Sequence, residues 1–215
     1  MDKNLVEKAF SEKRMEKYFN RYSSVLDAVK HYQSNIELSE SFYPSIAVFE
    51  ILLRNAIDRE LKKTFGREDW YVVFPTTLGL TDLNKYISQA NRQIANRREM
   101  PTPSKIIAEL TLGFWVSLFN VEYERVLWKD LRKSFSNMPK QERQRKNVSA
   151  PLNRFRSFRN RVFHHEPIAW NLTKLREIHT EILAVIEWLD KDISQWLMSF
   201  DRFEEVCKNV EKLKK

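Results

Sequence analysis

Cysteine is all but missing from this chain: Cys207 is the only one in 215 residues. A single thiol excludes an intramolecular disulfide and a cysteine-cluster zinc site. Glycine is nearly as scarce, with three residues, and proline contributes seven. A sheet-rich fold with many tight turns needs more of both. No run approaches the roughly 20 apolar residues that span a bilayer. The opening residues, MDKNLVEKAF, lack the apolar stretch of a secretory leader. The expectation is a soluble, cytoplasmic protein with no membrane partner.

What is present points to helices. Hydrophobic residues make up 42%, with 14 Phe and 6 Trp, and charged residues 31%. That mixture suits a buried core beneath long solvated helix faces. Nearly every segment has helical periodicity, with no internal repeat and no flexible linker. The strongest helix is expected over 45–65, with Ile46, Phe49, Leu53, Ile57 and Leu61 on one face, Pro44 near its start and Gly66 past its end. Other helices are expected over 3–20, 22–38, 82–98, 105–119, 121–135, 151–165 and 172–196, with a short tail helix. A break is expected at 39–44, irregular structure over 67–80, and a polar connection over 136–148. Thr102 or Ser104 can cap the helix that follows Pro101. The prediction is an all-α bundle forming one domain over residues 1–215.

The net charge of +8 is unevenly spread. From Lys129 to Arg161 eleven Lys and Arg face two acids, Asp130 and Glu142, so this window carries +9 and the remainder −1. A basic strip on an otherwise balanced chain is the footprint of a polyanion partner. Lys140, Arg143, Arg145, Lys146, Arg154, Arg156 and Arg161 are the candidate RNA-binding residues. The alternative is a solvated helix face that serves solubility alone.

The strip runs into RNRVFHHEPI at 159–168. At 100° per residue, Leu152, Phe155, Phe158, Val162 and Phe163 form an apolar arc, and Arg159 falls inside it. A guanidinium keeps its charge, so an inward Arg requires a carboxylate or phosphate partner. Asn160 and His164 are four apart on a neighbouring face, and Arg161 and His165 form another such pair. Cation, amide and imidazole therefore converge at one helix end. That set suits RNA cleavage without a metal. The 2′-OH attacks its own phosphate, an imidazole moves the proton, and an Arg stabilises the charge that builds on phosphorus. The plainer reading is a basic helix end whose two histidines simply favour the helix dipole.

RNRVFHHEPI resembles the signature of the HEPN superfamily: Arg, a polar residue, then His four to six positions after the Arg. It is more closely similar to the bacterial abortive-infection (Abi-like) branch, in which RNR-x-x-HHEPI is characteristic. FEILLRNAID at 49–58, KIIAELTLGFWVSLF at 105–119 and the segment 128–135 extend the likeness over about residues 20–200. The resemblance implies an all-helical HEPN-type bundle and a homodimer whose motif helices share a cleft. It also implies ribonuclease activity in phage defence or as a toxin. By position it assigns Arg159, Asn160 and His164 as catalytic, with His165 and Glu166 as supporting extension. The first helix, 1–20, belongs to the variable part.

Glu50, Arg54 and Asp58 are spaced four apart and read either as an ion-pair ladder or, with Asn55, as groups beside the motif. In the second reading Glu50 holds Arg159. His164, His165 and Glu166 do not make a metal site by spacing, because adjacent helical residues diverge by about 100° and no third ligand follows. No metal or cofactor is expected. Trp115, Trp128, Trp170 and Trp188 read as core or dimer-interface residues, and Phe135 as a base-stacking candidate. Two further functions stay open: a non-catalytic RNA-binding module, and a ribonuclease held inactive by a bound small RNA.

Overall fold

The computed structural model describes residues 2–76 and 79–213. These residues contain helices and no strand, and no helix is long and apolar enough to cross a membrane. The expected helix over 3–20 is in fact a hairpin, α1 (Lys3–Phe10) and α2 (Glu12–Phe19). Ser11 breaks it at φ +70, and its hydroxyl accepts from the Arg14 N–H. Then come α3 (Val25–Ser41), capped by Ser24, and α4 (Tyr43–Phe65). The expected break at 39–44 shrinks to Phe42, because the buried Leu38, Phe42 and Ile46 continue one apolar stripe across the junction. Gly66 ends α4 at φ +65, the left-handed conformation that glycine adopts without a Cβ clash.

The segment expected to be irregular carries a 3-10 turn, Trp70–Val72, and α5 (Val73–Thr76); Thr77 and Leu78 lie outside the described residues. A 3-10 turn at Thr81–Leu83 leads into α6 (Asn84–Asn96). The helix expected over 105–119 divides into α7 (Pro103–Glu109), capped by the Thr102 hydroxyl, and α8 (Leu112–Ser117). Leu110 takes an extended conformation between them, and the Trp115 Nε1–H donates to its freed carbonyl at 3.1 Å. A run that is apolar on most sides has little solvent face to fix its periodicity, so packing decides where it bends. The 121–135 segment is α9 (Glu124–Leu131) between two short 3-10 turns.

The motif helix, α10 (Arg145–Phe163), starts six residues earlier than expected and keeps Pro151 inside it. Val148, Pro151, Leu152, Phe155, Phe158 and Val162 are buried at helical spacing, and this stripe outweighs the hydrogen bond that proline removes. The last expected helix is cut at Asp190 into α11 (Leu172–Leu189) and α12 (Lys191–Met198), since the Asp190 carboxylate caps α12 through the Ile193 N–H. Finally comes α13 (Phe203–Leu213).

Helix α4 lies at the centre, against α3, α8, α9, α11 and α12. Helix α10 meets it and the preceding junction through aromatic pairs: Phe49 with Phe155 (tilted, ring centroids 3.8 Å apart) and Phe42 edge-on to Phe158 (4.6 Å). One apolar core runs through these elements. A smaller cluster (Val6, Met15, Tyr18, Ala28) joins the α1–α2 hairpin to α3 and to Trp170.

Candidate active site

Packing of α10 on α4 lifts Arg159 to the rim of the core. Its side chain is 31% exposed and that of Glu50 29%. The Arg159 Nε–H donates to Glu50 Oε1 at 2.7 Å. Its guanidinium carbon lies 4.2 Å from the centroid of the Phe163 ring, within cation–π range. Phe163 was expected in the buried arc, yet it is 43% exposed and covers the guanidinium face. Among the described residues neither Nη atom has a hydrogen-bond partner. The fork therefore offers its outer N–H groups to a ligand.

A cleft of about 490 Å³ opens beside it. Glu50 and Arg54 of α4 form one wall, and Arg156, Arg159 and Asn160 of α10 the other. The bend from Leu110 to Gly113, with Trp115, supplies an apolar floor. The ladder reading of the 50–54–58 spacing does not describe α4. Glu50 turns to Arg159, Arg54 donates from Nε to Asn55 Oδ1 at 3.2 Å, and Asp58 binds Trp70 Nε1 at 2.8 Å and Lys62 at 3.0 Å.

Helix α10 ends in a Schellman turn. The His165 N–H donates to the Val162 carbonyl at 3.0 Å, and the Glu166 N–H to the Arg161 carbonyl at 2.9 Å. The left-handed position of that turn, usually glycine, is His165 at φ +55. His164, the residue before it, is exposed one turn beyond Asn160, and its N–H donates to the Asn160 carbonyl at 2.8 Å. His165 turns away from the cleft, into an apolar groove of about 480 Å³ with Tyr32, Ile36, Tyr43 and Phe163. The expected Arg161–His165 pair is replaced by Arg161 with Glu166, at 3.1 Å, and with the Pro167 carbonyl, at 3.0 Å.

The basic strip separates into two sets. Arg143 donates to the Ser136 and Met138 carbonyls, Arg145 binds Glu124 and the Phe119 carbonyl, Arg154 forks onto Glu181, and Arg161 is held as above. These four brace the protein. Lys140, Lys146 and Arg156 have no intrachain ionic or hydrogen-bonding partner among the described residues, and Arg156 lines the cleft. Phe135 is fully buried against Phe119, so it offers no face to a base. Trp115 is buried; Trp128 and Trp188 pack half-buried on the main core and Trp170 on the smaller one.

Sequence reasoning overlooked Asn35 and Arg14. Asn35, on α3, is buried and bonds the backbone at the end of the motif, at Glu166 and Ile168, and at Ala169 just past it. A polar residue at the register of His31 and Leu38 is the one signal that marked it. Comparison with family models, with curated proteins and with solved structures found no match to this chain.

Proposed function

We propose that this chain is a metal-independent endoribonuclease of the HEPN type, acting in bacterial anti-phage defence or as a toxin. The observation that carries this reading is Arg159: fixed through Nε by Glu50 and across its face by Phe163, it leaves its outer N–H groups free beside Asn160 in an arginine-rich cleft. A phosphate seated there meets a preorganised, permanently charged donor. The RNA 2′-OH attacks phosphorus, an imidazole takes its proton, the O2′–P bond forms and the P–O5′ bond breaks. A proton delivered to the leaving oxygen completes the step. The products are a 2′,3′-cyclic phosphate and a 5′-OH, and DNA is not cleaved. His164 is the imidazole nearest in sequence to Asn160 and the first choice for the acid–base role.

Exposed apolar surface around the motif supports the homodimer reading. Ile36, Tyr43 and Phe163 are 52%, 62% and 43% exposed beside one groove. Burying them against a second copy would bring the two helix ends, each with its His164, to one shared site.

The deciding experiment incubates wild type and His164→Ala with end-labelled RNA, with and without EDTA, and analyses the termini. Cyclic-phosphate ends that persist in EDTA and vanish in the variant support the enzyme. Salt-dependent binding without new ends would support the RNA-binding module instead. Co-purification of a discrete small RNA would identify an inhibitory partner.

A further inference from the structure

The loop that leaves α10 is tied down by the opposite end of the chain. Asn35 uses its single carboxamide three times. Oδ1 accepts from the Ile168 N–H at 2.6 Å and the Ala169 N–H at 3.0 Å, and Nδ2 donates to the Glu166 carbonyl at 3.3 Å. Only an oxygen accepts from two amides, so chemistry fixes which way this amide points. From α2, Arg14 Nη1 donates to the His165 carbonyl at 2.7 Å. Asn35 is 3% exposed, so the two bonds to its Oδ1 form away from competing water, while the Nδ2 bond to the exposed Glu166 is only partly shielded.

These ties matter because nothing else holds the imidazole of His164. Its ring has no hydrogen-bond partner among the described residues, and it stands next to a non-glycine residue at φ +55. Its position is set by backbone, and the backbone after it is tied by Asn35 and Arg14, with Arg161 Nη2 on the Pro167 carbonyl at 3.0 Å and His31 Nε2 3.4 Å from the Ala169 carbonyl. The Schellman turn fixes the chain as far as Glu166; Asn35 carries the restraint on to Ala169.

We propose that Asn35, assisted by Arg14, is a positioning residue for His164, acting through the backbone of residues 165–169. The catalytic half of this statement rests on the ribonuclease reading above. The α1–α2 hairpin thereby gains a purpose, since it presents Arg14 and packs its small core on Trp170, just past the clamped loop.

The test compares full-length wild type, Asn35→Ala, Asn35→Asp and Arg14→Ala. A misplacement of about 1 Å costs on the order of 100-fold in rate. Asn35→Ala is expected to lose about 30- to 100-fold in kcat with KM within about twofold. Asn35→Asp keeps an acceptor for both amides but sets its second oxygen against the Glu166 carbonyl, so it is expected to recover part of the loss, to within about tenfold of wild type. Arg14→Ala, which removes only the outer tether, is expected to lose about threefold without a change in melting temperature. Amide exchange at Ile168 and Ala169 should quicken at least tenfold in Asn35→Ala and not in Asn35→Asp. Equal kcat in all four proteins, an Asp variant no better than the Ala variant, or unchanged exchange overturns the proposal. If Asn35→Ala fails to fold, the other two variants decide. A wild type that cleaves no RNA removes the catalytic half together with the ribonuclease reading, while the exchange data still decide the clamp.

Discussion

Replacing Glu50 with glutamine takes one charge out of the cleft and leaves an oxygen to accept from the Arg159 Nε–H. The bond is 2.7 Å long and both side chains are about a third exposed, at 31% and 29%. A hydrogen bond to a charged group contributes roughly 1.5–3 kcal/mol when shielded from solvent. Solvent screening at this exposure reduces that to about 1 kcal/mol. A neutral acceptor keeps about half, so the fold should lose about 0.5 kcal/mol, or about 1–2 °C in Tm for a chain of this size. The effect on cleavage should be larger. With a weaker hold on Nε, the guanidinium samples other rotamers, and kcat should fall about tenfold, equivalent to about 1.4 kcal/mol. Substrate binding should move the other way. The Glu50 carboxylate repels a phosphate in the same cleft, so KM should fall by about twofold. Single-turnover cleavage across a range of RNA concentrations, with a melting curve beside it, reads both effects. An unchanged kcat would refute the argument that Glu50 orients Arg159. A Tm loss above about 5 °C would show Glu50 to be a structural residue instead.

Three further outcomes follow from the geometry. His165 at φ +55 is strained by roughly 1 kcal/mol. His165→Gly should relieve that and give back about half through the looser unfolded chain, for a Tm rise of about 1–2 °C by calorimetry. Burial alone would raise the Asp201 carboxyl, but hydrogen bonds from His179 (2.9 Å) and from the Phe203 N–H (2.8 Å) outweigh it and hold the carboxyl below its usual value. A depressed folded pKa adds stability above the unfolded value, about 3.9, that is lost as pH falls below it. Unfolding followed below pH 4 should therefore be less steep in pH for Asp201→Asn than for wild type. Lys146 is an exposed cation without a partner among the described residues. Lys146→Ala should weaken RNA binding and reduce the log K against log salt slope by about 0.7, whereas an unchanged slope would remove it from the RNA path.

The fold was legible wherever one face of a helix is apolar and the other charged. Ile46, Phe49, Leu53, Ile57 and Leu61 are all buried on α4, and Gly66 ends it as the expected left-handed residue. Legibility failed where periodicity carries no information. The 105–119 run is apolar on most sides, so the bend at Leu110 is invisible until neighbouring helices are in place. The cut at Asp190 did have a signal, an N-capping aspartate, but an unbroken apolar register runs up to it at Leu189. At the site, a permanent charge at a core register asked for a carboxylate or a phosphate, and it took the resemblance as well to name Glu50 as the partner of Arg159. The roles of the basic strip were not readable. Arg143, Arg145 and Arg154 look the same as Lys140, Lys146 and Arg156 in sequence, and only the positions of Glu124, Glu181 and free backbone carbonyls separate braces from open cations. Nor does helical spacing reveal that the chain turns left-handed at His165, which lines the apolar groove, or that His164 stands exposed outside the residues that line the cleft.

The ties that build the cleft and hold the histidine loop span long stretches of chain: 109 residues from Glu50 to Arg159, 133 from Asn35 to Ile168 and 151 from Arg14 to His165. Helices form from neighbours, but contacts at such separations come after much of the chain has collapsed. At a synthesis rate of roughly 5–20 residues per second, Glu50 waits about 5–20 s for Arg159 to be made. Through that interval the constellation does not exist. Two pieces separated anywhere between residues 50 and 159 each carry half of it. The proposed ribonuclease site is therefore assembled only once both parts have met, and a nascent chain lacks it.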